Sequence, residues 1–231
     1  AASSRMSFGI HGRKILRRGT DGAMKKLRLM MLALAMGMIA GCTSEPSKPA
    51  PTEPAKPKAA ELQSGRYAFQ KVFIAAHGWA RDVQPFRLES QVTADSKGTD
   101  GKAAVWRASF ASPAGHSAKP YVWSGTDASD APSRGISPGN EDTYSPTNAS
   151  TQVFDVNFLK VDSDKAFEVA QKHGGEKVLE KNADIPVTYV LDWSHAANKL
   201  IWHVIYGADR DDAKLIVDVD GTTGEFIRTE K

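Results

Sequence analysis

The sequence predicts an α+β fold, with helices packed on antiparallel sheet, behind a leader and an extended tether. Three observations predict it. Residues 61–231 hold all five tryptophans and 18 of the 19 aromatic residues of the 231-residue chain. Within that stretch, apolar residues recur at helical spacing in two places and alternate strictly in several others. The first sixty residues hold a short apolar run and a proline-rich segment, and neither can build a core. A body of about 170 residues buries roughly 70% of its unfolded surface, enough for a core without staples. With 25% charged residues, the chain is neither a polytopic membrane protein nor a disordered tail.

Residues 1–23 are expected to be an upstream extension outside the native protein, with Met24 as the start. Their Arg17-Arg18 pair lies eleven residues before the apolar run, too far for a twin-arginine signal. Residues 24–41 have the outline of a secretory signal peptide: a basic start at Lys25, Lys26 and Arg28, an apolar run from Leu29 to Ala40, and small residues before Cys42. The run is shorter than the roughly 20 residues of a spanning helix. The quartet Ile39-Ala40-Gly41-Cys42 closely resembles the lipobox of bacterial lipoproteins. That resemblance implies cleavage before Cys42 and acylation, palmitate included, of its thiol and amino group. Each buried methylene contributes about 0.8 kcal/mol, and more than one chain makes attachment lasting. Thr43, where inner-membrane retention uses Asp, resembles the pattern sent on to the outer membrane in enteric-type Gram-negative bacteria. The expected location is the cell envelope, lipid-anchored and facing the periplasm.

Removing residues 1–41 discards 8 of the 30 basic residues, 1 of the 27 acidic ones and all six methionines. The remaining 22 basic and 26 acidic residues form an anionic product, so the overall charge of +3 is no argument for nucleic acid. A single cysteine excludes an internal disulfide and Cys-rich zinc or iron–sulfur sites. Without methionine or a free thiol, soft-ligand copper and thiol-nucleophile chemistry have no support.

Residues 42–60 carry five of the twelve prolines and no aromatic residue, as in a polyproline II spacer. At about 3.1 Å per residue such a tether holds a domain about 50 Å from its anchor. An N-terminal unit, 61–125, opens with a helix from about Leu62 to Arg81, its apolar face formed by Ala68, Phe69, Val72, Phe73, Ala76, Trp79 and Ala80. Pro85 forces an extended start, and strands follow at Phe86–Val92, Ala103–Ala111 and Tyr121–Trp123. Residues 126–150, dense in Ser, Pro, Gly, Asp and Asn, read as a connecting loop. The C-terminal unit, 151–231, reads as a strand over Val153–Val161 and a helix capped by Asp162-Ser-Asp164. Glycines after His173 stop that helix, and three alternating strands follow around Trp193, Trp202 and Val217. One sheet face should be covered by helix and the other wetter. Both halves place a proline-led strand before a tryptophan-centred one, Pro85 to Trp106 and Pro186 to Trp202, which suggests two tandem related units.

The stretch from Val161 to Arg228 resembles a PepSY-type domain, a small extracytoplasmic bacterial module of cystatin-like fold. The matching residues are the helix opening Asp162-Ser-Asp-Lys-Ala166, the Gly174-Gly175 stop, Trp202-His-Val204, and the closing Asp220-Gly-Thr-Thr-Gly-Glu225. The N-terminal unit lacks the Thr-Gly-Glu turn. The resemblance implies inhibition or regulation of extracellular peptidases, or a part in sensing or redox-linked envelope proteins, without choosing between them.

The candidate chemistry is sparse. Asp218-Val-Asp-Gly-Thr-Thr-Gly-Glu225 lacks the register of a calcium loop and reads as a hairpin turn. Asp209-Arg-Asp-Asp212 reads as a solvated turn. His77, His116, His173, His195 and His203 show neither HxH nor HExxH spacing, so no metal is expected. No GxSxG, SxxK, P-loop or dinucleotide fingerprint occurs. Trp79, Trp106 and Trp202 are expected in the core. Trp123 and Trp193, nearer strand ends, are the candidate exposed contacts for a protein, peptide or glycan. The expected protein is a non-enzymatic, membrane-anchored lipoprotein without cofactor beyond its covalent lipid, binding an envelope protein or peptide and no nucleic acid. The alternatives are a small-ligand carrier or hydrolase with a site between the two units, or a structural envelope spacer.

Overall fold

The computed structural model describes residues 58–230. Ile39, Ala40, Gly41 and Cys42, with the signal segment and most of the tether, lie outside the described residues. The chain forms, in order, β1 (Gln63–Ser64), α1 (Gly65–Trp79), β2 (Gln84–Gln91), β3 (Lys102–Ala103), β4 (Val105–Ser112), β5 (Ser117–Ser124), β6 (Gly135–Pro138) and β7 (Asp142–Thr143). Then come α2 (Ser163–Ala170), α3 (Glu176–Lys181), β8 (Val187–Ser194), β9 (Lys199–Tyr206), β10 (Leu215–Asp220) and β11 (Phe226–Glu230).

The fold is α+β, with two principal helices on one face of a nine-stranded antiparallel sheet. The sheet order is β11-β10-β9-β8-β2-β4-β5-β6, with β7 also on β5. The two halves are therefore not separate bodies. Arg87 pairs with Asp192, Leu88 with Leu191 and Glu89 with Val190, joining β2 to β8 along the seam. The order is also alike from both ends, since in each half the first strand after the helix lies innermost and its successors step outward.

Alternation assigns the faces. Leu88, Trp106, Phe110, Tyr189, Leu191, Trp202, Val204 and Val217 lie under the helices in one core with Phe69, Val72, Ala76, Ala166 and Ala170. At its centre Trp106 and Trp202 meet edge to face, 6.3 Å between ring centroids. Each indole N–H holds the chain just before a helix: Trp106 Nε1 donates to Gln63 O at 2.8 Å, and Trp202 Nε1 to Val161 O at 3.0 Å. The helices thus begin side by side. The Asp162 carboxylate accepts from Ser163 N at 2.7 Å in its own helix and from Arg66 N at 2.9 Å in α1. Ser64 does not cap α1. Its hydroxyl donates instead to Asp162 Oδ2 at 2.7 Å, and Gly65 N donates to Ser163 Oγ at 2.8 Å.

Several sequence expectations are corrected. Val153–Val161 forms no strand: residues 149–151 and 156–158 are single 3-10 turns, the second capped by Asp155 accepting from Asn157 N. Backbone bonds tie the segment down only near its ends, by Phe154 N to Pro85 O at 2.9 Å and by Lys160 N and Val161 N to Gly221 O at 3.0 and 2.9 Å, and a strand needs a continuous ladder. The 126–150 connection contains β6 and β7, short polar edge strands whose composition hides them. Tyr121–Trp123 extends to all of β5. The helix opened by Asp162 does stop at His173–Gly174, where Gly174 has φ 112°, but it resumes as α3.

Candidate functional site

The face that the helices leave free is the most organised polar feature of the body. Cross-strand register places charged residues of opposite sign side by side from β4 to β11. Arg107 Nη1 lies 3.8 Å from Glu89 Oε1, and Arg87 bridges Glu89, with Nε to Oε2 at 2.8 Å, to Asp192, with Nη1 to Oδ2 at 3.2 Å. Asp192 Oδ1 lies 3.3 Å from His203 Nε2, and His203 Nδ1 lies 2.5 Å from Asp218 Oδ1. Arg228 Nε donates to Asp218 Oδ2 at 2.9 Å. Arg228 Nη2 pairs with Glu230, which also takes Arg210 Nη1 at 3.1 Å. The ladder is deep at its centre, where Asp218 is 0% and His203 6% exposed. Its arginines are half-exposed at both ends.

Burial alone would lower the His203 pKa, but the hydrogen bonds and charges of Asp192 and Asp218 outweigh it and raise it above the ordinary imidazole value. Burial would raise Asp218, but His203 and Arg228 hold it below the usual carboxylate range. Asp220 follows the same logic: burial is outweighed by Lys199, 2.7 Å away, and by Thr222 N and Thr223 N.

One open groove borders this framework: of about 350 Å³, it runs beside the ladder between Arg87, Thr188, Val190, Ile205 and the Asp209–Asp211 loop. A second groove, of about 270 Å³, contains none of the ladder residues and is lined by Phe73 of α1, Val83, Pro85, Val153, Phe154 and Val156. The ladder face also carries small apolar clusters, Val190 with Ile205 and Ile216, and Ala111 with Ala118 and Tyr144, so it is drier than strict alternation suggested.

The tryptophan candidates stand elsewhere. Trp123 is buried, 6% exposed, and packs edge-on to Tyr67 at 6.0 Å, so it is not an exposed contact. Its strand lies between two partners under α1, where a large ring is needed to fill the layer. Trp193 is half-buried, 5.2 Å from the ring of Phe158, which is 43% exposed. β2 and β4 stand between their strands, so the structure does not bring the two together. The histidines do not converge either: His173 stacks on Phe226 at 3.8 Å, and His195 bonds Gln152. Among the described residues, no group of three or more His, Cys, Asp or Glu is arranged to hold a metal. The Asp220–Glu225 segment is the β10–β11 hairpin turn, with the Asp220 carboxylate spent on backbone amides and Lys199.

His203 is the ladder residue whose setting sequence reasoning passed over. Its signal lay in the Trp202-His-Val204 alternation, which turns it away from the core tryptophan. Asp192, Asp218 and Arg228 became its surroundings only through strand register.

No protein-family model matches the chain, and no curated protein matches it. The PepSY resemblance therefore rests on the residues quoted for it. Among solved structures the chain is similar to a protein described as a candidate lipoprotein of Clostridium difficile 630, at 11% identity and a TM-score of 0.48. The match covers 71% of this chain and 91% of that one. At that identity and score the likeness says nothing about function.

Proposed function

We propose that the chain is a lipid-anchored envelope lipoprotein whose folded body is a non-catalytic module binding a protein or peptide through its helix-free sheet face. The observation that carries the reading is the ladder itself. Half-exposed arginines, each held by a more buried carboxylate, stand on paired strands at fixed spacing, a preorganised surface for matching charges on a partner. Both ring nitrogens of His203 are taken by carboxylates, so neither is free to activate a nucleophile. The groove beside the ladder is open to solvent, as suits a side chain of a partner rather than an enclosed small molecule. The lipobox-like quartet ending in Cys42 supplies the anchor, and the proline-rich segment after it the reach. The PepSY-like residues support a regulatory role, with an envelope peptidase as the partner class.

The test of the anchor is fractionation of cells expressing the full chain labelled with an alkyne fatty acid. The wild-type chain should carry label and sediment with membranes. Cys42→Ser should lose the label and leave the membrane fraction. Unchanged labelling and sedimentation of that variant would overturn the anchoring half of the reading.

A further inference from the structure

His203 belongs to the ladder, yet surface binding does not require a buried histidine. Its setting fixes its protonation by geometry. Asp218 Oδ1 faces Nδ1 at 2.5 Å and Asp192 Oδ1 faces Nε2 at 3.3 Å. An ionised carboxylate only accepts, and a neutral imidazole has a single N–H, so only the doubly protonated ring satisfies both contacts. Neither carboxylate is free to take up the proton in its place. Asp218 Oδ2 is held by Arg228 from β11, and Asp192 Oδ2 by Arg87 from β2. The neighbouring Lys199 and Asp220 on the same face satisfy each other. From β8, β10, β2 and β11, the groups around the ring are therefore two carboxylates, each backed by a guanidinium.

We propose that His203 is a proton-operated clasp, whose imidazolium ties β10 and β11 to the rest of the sheet and whose deprotonation loosens that edge. When the proton leaves, one ring nitrogen presents a lone pair to a carboxylate oxygen in a buried site. At the Asp218 side that carboxylate is fully buried and keeps only Arg228. Arg228 stands on β11, the last strand, whose outer edge has no partner strand among the described residues. Loss of the clasp therefore acts first on the element least supported by the core. This goes beyond the binding proposal, and a failure of either leaves the other standing.

The sign follows from the raised His203 value. Stability from the clasp is fully present below the unfolded imidazole pKa, about 6.5, and is lost as pH rises through the higher folded value. The test is NMR on residues 43–231, the folded body with its preceding tether. Ring ¹⁵N shifts of His203 should report both nitrogens protonated at pH 7, with a midpoint above the ordinary imidazole value of about 6.5. Across that midpoint, hydrogen-exchange protection of β10–β11 amides, corrected for intrinsic rates, should fall at least tenfold relative to β4–β5 amides. Asp192→Asn, which keeps the shape and removes one charge, should move the His203 midpoint down without unfolding the body. A single neutral tautomer at pH 7, a midpoint indifferent to Asp192→Asn, or β10–β11 protection unchanged through the titration would each overturn the proposal.

Discussion

Replacing Asp162 by alanine should destabilise the body more than loss of an ordinary helix cap. In most helices the capping side chain serves its own first turn, and its removal costs typically about 1 kcal/mol, within a range of about 0.5–2. Asp162 serves two helices. It caps α2 through Ser163 N at 2.7 Å and takes Arg66 N of α1 at 2.9 Å, and it also accepts the Ser64 hydroxyl at 2.7 Å. Both helix N-termini, each carrying about half a positive charge, converge on this one carboxylate. Two capping contributions plus an orphaned, half-buried hydroxyl sum to about 3 kcal/mol. For a domain of this size that corresponds to a fall in Tm of about 6–12 °C. Asp162→Asn keeps an acceptor and should lose about 1 kcal/mol, and Ser64→Ala a similar amount. Urea denaturation followed by tryptophan fluorescence reads all three, with slope m checked for constancy. A loss below about 1 kcal/mol for Asp162→Ala would refute the shared cap, because one exposed cap alone accounts for that much.

Further outcomes follow from the same contacts. Trp106→Phe and Trp202→Phe each remove one indole N–H from a carbonyl before a helix, and each should cost about 1–3 kcal/mol by the same denaturation; a neutral effect at either position would contradict the paired anchoring. Asp218→Ala leaves His203 without its shorter partner and should cost about 3–5 kcal/mol, the range for breaking a buried ion pair. Because Asp218 and Asp220 are held below the usual carboxylate range, their stabilisation is present above about pH 4 and is lost as pH falls through the depressed values. Asp220→Asn should flatten that acid limb, and an unchanged limb would remove Asp220 from it. Arg107→Ala, at the exposed end of the ladder, should change stability by less than about 1 kcal/mol; a larger loss would make it structural rather than available to a partner.

The fold was legible where periodicity was strong. The α1 face and the strands around Trp106, Trp202 and Val217 stand where the spacing of apolar residues put them. β6 and β7 were not legible because Gly135–Pro138 and Asp142–Thr143 carry no apolar alternation and owe their state to the neighbouring edge of β5. Val153–Val161 misled because its apolar residues cover the core as a loop, and composition cannot tell that from a strand. Asp162 was readable as the cap of its own helix. Its service to α1, 96 residues earlier, depends on tertiary docking. The ladder was hidden for a related reason. Arg87, Asp192, His203, Asp218 and Arg228 are unremarkable charges on separate strands until register sets them side by side.

Binding through the helix-free face is tested most directly by photo-crosslinking in cells. A photoreactive residue at Ser109, on the ladder face beside Arg87, is compared with one at Gln70, exposed on α1. The proposed function predicts a discrete protein adduct from position 109, weakened at least severalfold by Arg107→Ala, and little from position 70. No adduct from position 109, or equal adducts from both, would contradict it.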